Sequence, residues 1–384
     1  MSTWPTVPLG QAIELAYGKS LPKGIRVDDG KVPVYGSNGV AGWHDEALIN
    51  GPTVIIGRKG SAGAVHYVDG PCYPIDTTYF VRARPAFDFD SRFLFYLLRQ
   101  LDLSRLKTAT GVPGLTREDA YRETIPVPPL HEQRRIVDLL SRAEGIVRLR
   151  REAQKKAAEI IPALFLDMFG DPATNPMGWP SALLPSVLAR PFKNGLYLPR
   201  DRYVAEDEQG GVEMVHMSDA FYGEVKRGKL RRVRASDDVV RDYGLSPQDL
   251  LVARRSLNFD GAAKLCGIPA SPDPLLFESS FIRLTPDESK VLTTYLLFYL
   301  NSESARRAYI IARISGITIS GINQAALAQI PVCCPPTERQ QQFAVRVEEL
   351  RSIESQQEVA TAKAEATFNA LMARIFSDGG EQGA

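Results

Sequence analysis

The pattern of apolar and polar residues divides the chain into two similar halves. Short β-type runs separated by Gly, Asn, Pro and Asp are followed by helix patterns at about 91–106 and 291–309. Thr116 and Asp119 resemble a capping box that starts a further short helix. The β-type runs lie at 32–35, 53–56, 64–68 and 78–81 in the first half and at 213–216, 250–253 and 280–284 in the second. Each half is therefore predicted to form a compact α+β module.

Each module is followed by a long, mostly polar helix pattern, at about 131–169 and 338–376. Their apolar residues keep a 4-3 spacing in one heptad register, offset by 207 residues. Matching seams in one chain predict that the helices pair antiparallel; the alternative is that each packs only on its own module. Pro162 is predicted to kink the first helix near its end. The predicted seam consists of Ile136, Leu140, Ala143, Val147, Ile161, Leu164, Phe343, Val347, Leu350, Phe368 and Leu371.

The repeated order predicts an α+β fold with two globular α/β domains. These domains, at 1–130 and 172–337, are separated by two long helices that form an antiparallel coiled coil with a pseudo-twofold internal repeat. The helical regions cover 131–171 and 338–384, and the second includes a short C-terminal tail. The duplicated unit is far longer than a solenoid repeat, so the chain is two copies of a module plus a helix. Such a chain is suited to hold two similar binding sites.

Composition narrows the class of protein without identifying it. The chain has 384 residues, of which 44% are hydrophobic, enough for two or three domains with cores. We expect a cytoplasmic protein, because its start lacks the features of a signal peptide and no apolar run has the length of a membrane span. The four cysteines show no CxxC pairing and are expected to be reduced. The net charge of +1 argues mildly against DNA binding, since it provides no strong positive field.

Residue spacing offers little support for a catalytic, metal or cofactor site. The four histidines form no HxxH or HExxH pattern. The segment 57–63 lacks the GxxxxGK[ST] spacing of a phosphate loop and is predicted to lie between two strands. The segment 175–177 lacks the second proline and the aromatic residue of the NPPY motif of amino-methyltransferases. We therefore expect no catalytic residue, no metal and no cofactor bound by this chain.

Basic turns recur at matching places in both halves. The cation pairs at 58–59 and 254–255 each follow a predicted strand and are expected at a hairpin tip, followed by Gly63 or Gly261. Arginine can bind guanine O6 and N7 as a fork, and either cation can bind a phosphate. A solvated turn without a ligand is the alternative. Recurrence in both halves favours a recognition role.

Further polar segments could contact a nucleic acid or only stabilise turns. The segments 76–80 and 278–282 share a carboxylate, two hydroxyls and an aromatic residue, which either cap a turn or face phosphates. The cation run at 226–234 is either a solvated edge strand or a stripe on the phosphate backbone. The candidate DNA contacts are Lys19, Ser37, Asn38, Arg58, Lys59, Ser61, Thr77, Thr78, Lys107, Thr110, Lys193, Asn194, Tyr197, Arg200, Arg254, Arg255, Ser256, Asn258, Lys264 and Arg313.

The segments that match a known family are the Trp-Pro openings at 4–5 and 179–180, Tyr-Gly-Ser-Asn-Gly at 35–39, Ile-Ile-Gly-Arg-Lys-Gly-Ser at 55–61, Asp-Thr-Thr at 76–78, and Ile-Pro-Val-Pro-Pro-Leu-x-Glu-Gln at 125–133. They resemble the specificity (S) subunits of type I restriction-modification systems. The resemblance covers the whole chain in the order domain, helix, domain, helix. The second junction, Val332-Cys333-Cys334-Pro335-Pro336, is less typical of the family.

The resemblance implies a non-catalytic, DNA-binding specificity subunit. The modules would be target-recognition domains that each read one half of a bipartite, asymmetric site through the major groove of double-stranded DNA. The helices would set the gap between half-sites and dock two methyltransferase (M) subunits. Those partners would carry S-adenosylmethionine, and restriction (R) subunits could join the complex. DNA methylation and phage defence would be its role.

Three alternatives remain open at this point. The chain could serve another methyltransferase-based phage-defence complex, act as a protein scaffold without nucleic acid, or be an enzyme with an unrecognised active site. The bases that would be read and the gap between half-sites are not encoded in any motif.

Overall fold

The computed structural model describes residues 4–108, 113–205, 210–220, 223–257, 259–316 and 319–376. The chain forms two compact units, of which unit 1 comprises Met1–Ala153 with Gln357–Ala384 and unit 2 comprises Gln154–Gln356. The strands are β1 (Thr6–Pro8), β2 (Ile13–Tyr17), β3 (Val32–Gly36), β4 (Gly39–His44), β5 (Thr53–Gly57), β6 (Val65–Val68), β7 (Tyr73–Pro74), β8 (Thr78–Ala83), β9 (Thr124–Pro126), β10 (Ser181–Leu183), β11 (Leu188–Asn194), β12 (Val212–Val215), β13 (Arg232–Val233), β14 (Leu250–Ala253), β15 (Arg255–Ser256), β16 (Leu265–Gly267), β17 (Leu275–Phe277), β18 (Phe281–Pro286), β19 (Ser320–Gly321) and β20 (Pro331–Cys333). The helices are α1 (Leu9–Ala12), α2 (Ser91–Leu101), α3 (Arg117–Tyr121), α4 (Leu130–Ala157), α5 (Ile160–Phe169), α6 (Asp237–Tyr243), α7 (Thr293–Asn301), α8 (Glu303–Ala305), α9 (Gln324–Leu327) and α10 (Thr337–Phe376).

Unit 1 is built on two sheets and a covering helix. One sheet is antiparallel in the order β2-β8-β5-β6, and the other has the order β4-β3-β7 with β3 and β7 parallel. Helix α2 packs on β5 and β6 and buries Phe93, Tyr96 and Leu97. Its first turn is capped by Asp90, whose carboxylate accepts from two backbone N–H groups. Strand β1 pairs with β9, which joins the start of the unit to the segment that precedes α4.

Unit 2 repeats this topology strand by strand. Its four-stranded sheet has the order β11-β18-β14-β16 and its three-stranded sheet the order β13-β12-β17, again with one parallel pair, β12 and β17. Strands β10 and β20 pair as β1 and β9 do in unit 1. The predicted α+β fold class with two similar modules is confirmed.

The helical segment predicted at 131–169 is two helices rather than one kinked helix. Helix α4 ends at Ala157 and α5 begins at Ile160, so the interruption precedes Pro162. In an uninterrupted helix, the ring of Pro162 would clash with the carbonyl of Ala158 and one hydrogen bond would be lost. Pro162 instead lies in the first turn of α5, where its missing N–H needs no partner. The second predicted helix is continuous, as α10.

Within unit 1, α4 runs antiparallel to the last part of α10. Arg151 on α4 forms an ion pair with Glu365 at 2.6 Å. Seven residues earlier on α4, Glu144 accepts from the hydroxyl of Tyr96 at 2.8 Å, and the ring of Tyr96 lies 6.4 Å from that of Phe368, which is three residues after Glu365 on α10. Within unit 2, α5 packs on the first part of α10, where the rings of Phe165 and Phe343 are 5.6 Å apart.

The residues of the predicted seam lie in the cores of the two units. In unit 1, four of them are buried and two are partly buried against the same apolar cluster. In unit 2, three are buried and two are partly buried. The buried ones are Ile136, Leu140, Val147 and Phe368 in unit 1 and Ile161, Phe343 and Val347 in unit 2; the partly buried ones are Ala143, Leu371, Leu164 and Leu350. Each helix segment therefore packs on its module and on the other helix within one unit.

A buried glutamine at the start of each long helix ties that helix to its module. The amide of Gln133 is fully buried; it donates to the carbonyls of Asp88 and Pro128, both at 2.9 Å, and accepts from the N–H of Asp90 at 2.8 Å. Gln340 is also fully buried and repeats this arrangement in unit 2, which gives the final glutamine of each Pro-Pro junction a structural role. Its partners are the carbonyls of Lys290 and Pro335 and the N–H of Leu292.

Candidate nucleic-acid interface

The two basic pairs predicted at hairpin tips occupy equivalent positions in the two sheets. The N–H of Arg58 donates to the carbonyl of Thr77 and that of Arg254 to the carbonyl of Ser280, both at 2.8 Å. The strand registers agree, because Gly57 faces Thr78 across β5 and β8 as Ala253 faces Phe281 across β14 and β18. The two loops can therefore be compared residue by residue.

This register corrects the alignment of 76–80 with 278–282. Thr77 corresponds to Ser280 and Thr78 to Phe281, one residue later than the sequence comparison indicated. Two short segments of hydroxyl residues can be aligned in either frame, and only strand pairing distinguishes them.

The glycine predicted to follow each basic pair is also corrected in unit 2. The N–H of Gly63 donates to the carbonyl of Gly57, and the N–H of Ala263 to that of Ala253, both at 2.8 Å. Both residues have a positive φ, +84° and +58°. The counterpart of Gly63 is therefore Ala263 and not Gly261.

A close approach of backbone segments occurs in both units and supports the equivalence of the two loops. A Cβ atom on Gly18 would lie 2.2 Å from the carbonyl oxygen of Ile75, and one on Gly195 would lie 2.1 Å from that of Glu278. Only glycine fits at either position. The residues before these glycines, Tyr17 and Asn194, are consequently equivalent.

The first arginine of each pair braces its loop. The guanidinium of Arg58 donates to the carbonyl of Asp76 from Nε at 3.1 Å and from Nη2 at 2.6 Å. That of Arg254 donates to the carbonyl of Ser279 at 3.3 Å. The next residues, Lys59 and Arg255, are exposed.

A cleft of about 510 Å³ lies beside the basic pair in unit 1. The ring of Tyr17 is half exposed, with the guanidinium of Arg117 4.4 Å and that of Arg58 5.3 Å from its centroid. Tyr79 lies behind it, with the ring centroids 5.2 Å apart, and donates to the carbonyl of Leu115 at 3.1 Å. Burial raises the pKa of Tyr79 to about 12, so this phenol is neutral at physiological pH. The cleft combines cations with an aromatic face, the chemistry of a nucleic-acid contact.

The wall of this cleft has a counterpart in unit 2. Lys59 pairs with Gly114 as Arg255 pairs with Gly321 in short antiparallel bridges. A helix begins just after each glycine, at α3 and α9.

The caps of these two helices are equivalent. Thr116 accepts from the N–H of Asp119 at 3.2 Å, which confirms the predicted N-cap, and Asn323 accepts from the N–H of Ala326 at 2.8 Å. The first helical residues are then Arg117 in unit 1 and Gln324 in unit 2.

The residue pair at these equivalent positions therefore differs between units. Tyr17 and Arg117 stack in unit 1, whereas in unit 2 the side chain of Gln324 donates to that of Asn194 at 2.9 Å. Sequence reasoning selected Asn194 but missed the other three residues. For Arg117 the available signal was its position directly after the predicted N-cap Thr116; the cap before Gln324 was not predicted.

Many of the other candidate contacts have side chains at the surface. Tyr197 is the most accessible of those in unit 2, with 85% of its surface exposed. Thr110 and Asn258 lie outside the described residues. The exposed candidates are Lys19, Asn38, Lys59, Ser61 and Lys107 in unit 1 and Asn194, Tyr197, Arg200, Arg255 and Lys264 in unit 2.

Two hydroxyl candidates of unit 1 have internal partners. Ser37 is buried and donates to the carbonyl of Thr77 at 2.5 Å. Thr78 is fully buried and donates to the carbonyl of Ile75 at 2.7 Å. For both, these contacts favour turn stabilisation over a phosphate contact. Thr77 itself is half-buried.

Three candidates of unit 2 are also engaged or buried within the unit. Lys193 donates to the carbonyl of Asp242 at 2.9 Å, and its ammonium lies 4.0 Å from the ring centroid of Tyr243. Arg313 donates to the carbonyl of Tyr309. Ser256 is buried. Their side chains support the fold around the basic pair.

The cation run at 226–234 includes an edge strand, β13, in the order β13-β12-β17. Arg227 forms an ion pair with Glu213 at 2.9 Å, and both side chains are largely buried. Burial raises the pKa of the Glu213 carboxyl, but the hydrogen bonds from Arg227 and Gly228 outweigh it and hold the pKa below its usual value. Arg232 donates to the carbonyls of Gly210 and Gly211. These contacts favour the edge-strand interpretation for Arg227 and Arg232.

The described residues contain no group of three or more His, Cys, Asp and Glu side chains arranged to hold a metal ion. None of the helices in the described ranges combines the length and apolar character needed to span a bilayer. His216 is almost fully buried, with Nε2 3.0 Å from the hydroxyl of Tyr203, and this burial lowers its pKa.

Comparison with known proteins relates the chain to one family. Residues 1–159 match the family model described as type I restriction modification DNA specificity domain. The chain is 25% identical over 295 residues to the StySPI type I restriction enzyme specificity subunit of Salmonella potsdam, which covers 71% of this chain and 61% of that protein. The EcoprrI specificity subunit of Escherichia coli is 25% identical over 115 residues, or 30% of this chain and 28% of its own length. The chain thus spans about three fifths of the length of the StySPI subunit.

Solved structures share the fold along nearly the whole chain. The S subunit of a type I restriction-modification system from M. genitalium is superposed with a TM-score of 0.55 at 15% identity, covering 97% of this chain and 96% of that one. A chain from a structural study of complex assembly and conformational transition of the type I R-M system gives a TM-score of 0.60 at 20% identity and covers 97% of both.

Proposed function

Because residues 1–159 belong to the family of type I restriction-modification DNA specificity domains and the whole chain has the fold of S subunits, we propose that it is the DNA-binding specificity subunit of a type I restriction-modification complex. Each unit would read one half of a bipartite, asymmetric site in double-stranded DNA. The single observation that carries the proposal is the pair of equivalent basic loops with different side chains beside them. Two units with the same backbone arrangement but different side chains beside the basic loop are suited to bind two different half-sites.

The exposed cations on the equivalent loops are proposed to contact the DNA backbone. Lys59 and Arg255 each follow an arginine that donates to a backbone carbonyl and so stabilises the loop. An exposed cation beside a groove-reading side chain fixes the register of a protein on the duplex. The remaining exposed candidates in both units belong to the same proposed surface.

The near-neutral charge of the chain supports a role inside a larger assembly. A net charge of +1 gives little long-range electrostatic attraction to DNA, so we expect partner subunits to contribute part of the affinity for DNA. We propose two methyltransferase subunits as these partners, with S-adenosylmethionine bound to them and restriction subunits joining as needed. In this assignment the chain itself performs no catalysis and acts in the cytoplasm.

A binding experiment tests this function. The full chain is reconstituted with the proposed methyltransferase subunits, and the complex selects sequences from randomised duplexes. Wild type is expected to enrich two separated motifs. Lys59→Gln and Arg255→Gln should each weaken binding to all sequences and lower the slope of log affinity against log salt by about 1.

Lys31→Gln is the matched control, because Lys31 is an exposed cation outside the cleft. It should leave the salt slope near that of wild type. A complex that binds DNA without sequence preference, or only in the absence of this chain, would refute the proposed function.

A further inference from the structure

Two equivalent positions carry different recognition chemistry in the two units. Tyr17 and Arg117 occupy them in unit 1, and Asn194 and Gln324 occupy them in unit 2. The surrounding backbone is the same, since each pair lies between a glycine-dependent strand end and a capped helix start. A shared frame with different side chains suits discrimination between different base edges.

The N–H groups of the Arg117 guanidinium are available to bind a ligand. Its guanidinium lies 4.4 Å from the ring centroid of Tyr17, and it has no hydrogen bond or ion pair to any described residue. Arg58 differs, because two of its donors are bound to the carbonyl of Asp76. A guanidinium that lies on an aromatic ring keeps its planar fork in a limited range of orientations. Arg117, rather than Arg58, is therefore placed to bind a base edge.

The amide pair in unit 2 offers a donor and an acceptor together. Nε2 of Gln324 donates to Oδ1 of Asn194 at 2.9 Å. That bond orients both amides and leaves Oε1 of Gln324 as an acceptor and Nδ2 of Asn194 as a donor. Asn194 is exposed and Gln324 is half-buried, so both residues reach the surface.

The two chemistries match two different purines in the major groove. Arginine binds O6 and N7 of guanine as a fork, whereas an amide side chain binds N6 and N7 of adenine. We propose that Arg117, oriented by Tyr17, reads a guanine in the half-site of unit 1, and that Gln324, oriented by Asn194, reads an adenine in that of unit 2. This inference rests on the proposed DNA-binding function. Arg117 and Gln324 are specificity-determining residues, while Tyr17 and Asn194 position them.

Reciprocal transplants test the assignment in the full chain with its methyltransferase subunits. One variant combines Tyr17→Asn with Arg117→Gln, and the other combines Asn194→Tyr with Gln324→Arg. Selection from randomised duplexes should show a guanine replaced by adenine in one half-site for the first variant. The second should show an adenine replaced by guanine in the other half-site. In each case the untouched unit keeps its motif.

A single substitution separates base reading from charge. Arg117→Lys retains the positive charge and loses the fork, so the preference for guanine at one position should fall roughly 5- to 150-fold, equivalent to about 1–3 kcal/mol. Affinity for unrelated sequences should change little. Arg122→Gln is the control, because the side chain of Arg122, just after α3, is exposed and, among the described residues, forms an ion pair only with Asp119. It should leave every base preference unchanged.

The outcomes distinguish failure of the inference from failure of the function. A wild-type complex that selects no sequence refutes the proposed function and the inference with it. A wild-type complex that selects two motifs, both unchanged by the transplants, refutes the inference alone. If a transplanted chain does not fold, Arg117→Lys decides, and an undiminished guanine preference overturns the assignment.

Discussion

Replacing Gln133 by leucine should destabilise unit 1, because its buried amide joins helix α4 to the module through three hydrogen bonds. The bond to the carbonyl of Pro128 is buried, and leaving that carbonyl without a partner costs about 1–3 kcal/mol. The bonds to Asp88 and Asp90 are partly accessible to water, so their loss costs about 0.5–1.5 kcal/mol each. The expected total is therefore about 2–6 kcal/mol.

The effect should be confined to one unit. Urea unfolding followed by hydrogen exchange and mass spectrometry gives the stability of each unit separately. Gln133→Leu should increase exchange in unit 1 and leave unit 2 near wild type. Gln340→Leu should do the reverse, because its three bonds have the same pattern.

A neighbouring exposed glutamine provides the control for this reasoning. Gln341→Leu makes the same chemical change on the surface of α10 and should alter stability by less than about 0.5 kcal/mol. If Gln133→Leu is no more destabilising than Gln341→Leu, the buried amide does not hold the helix on the module. Destabilisation of both units by Gln133→Leu would refute its local action.

Three further predictions concern pH, the aromatic core and the seam. Burial holds the pKa of His216 below 6.5, so the unfolded chain binds a proton more readily and unit 2 should lose stability as the pH falls below about 6.5; calorimetry from pH 7.5 to 5.5 measures this, and His216→Gln should flatten the dependence. Phe343→Ala should destabilise unit 2 by about 3–5 kcal/mol in urea unfolding, because its fully buried ring packs on Phe165 and Phe169. A fragment of residues 1–171 should self-associate in analytical ultracentrifugation. Its Ile161 and Leu164 lie 207 positions before Phe368 and Leu371 of α10, so this segment of a second copy can replace α10 in the core of unit 1.

Each of these predictions has a result that contradicts it. A pH dependence unchanged by His216→Gln would assign the acid sensitivity to other groups. A loss in unit 1 rather than unit 2 for Phe343→Ala would contradict the separation of the two cores. A folded, strictly monomeric fragment would count against the interchangeable seam.

The repeated architecture could be predicted from the sequence because local signals and the duplication agreed. The β-type runs at 53–56 and 250–253 became β5 and β14, and the heptad residues became core residues. Strand β2 had no such signal, since its Glu, Leu and Ala favour helix. Its pairing with β8 decides its conformation, and this pairing depends on residues 62 to 70 positions away.

The contents of the cleft required the tertiary structure. Tyr17 and Arg117 are 100 residues apart, and their contact arises only when β2 and α3 lie beside the same loop. The cations at 58 and 254 were visible in the sequence, but their bonds to carbonyl groups were not. A charged residue can be recognised from the sequence. Whether its side chain stabilises a loop or is available to bind a ligand depends on the tertiary packing around it.

The central claim, that the two units read unlike halves of one DNA site, is tested most directly by mapping methylated bases. The full chain and the proposed methyltransferase subunits are expressed together in cells without other DNA methylation, and the genome is sequenced by a method that detects modified bases. We expect methylation at a bipartite site with two different half-sites and a fixed gap, and only when this chain is present. Methylation that is independent of the chain, or that occurs at one continuous motif, would contradict it.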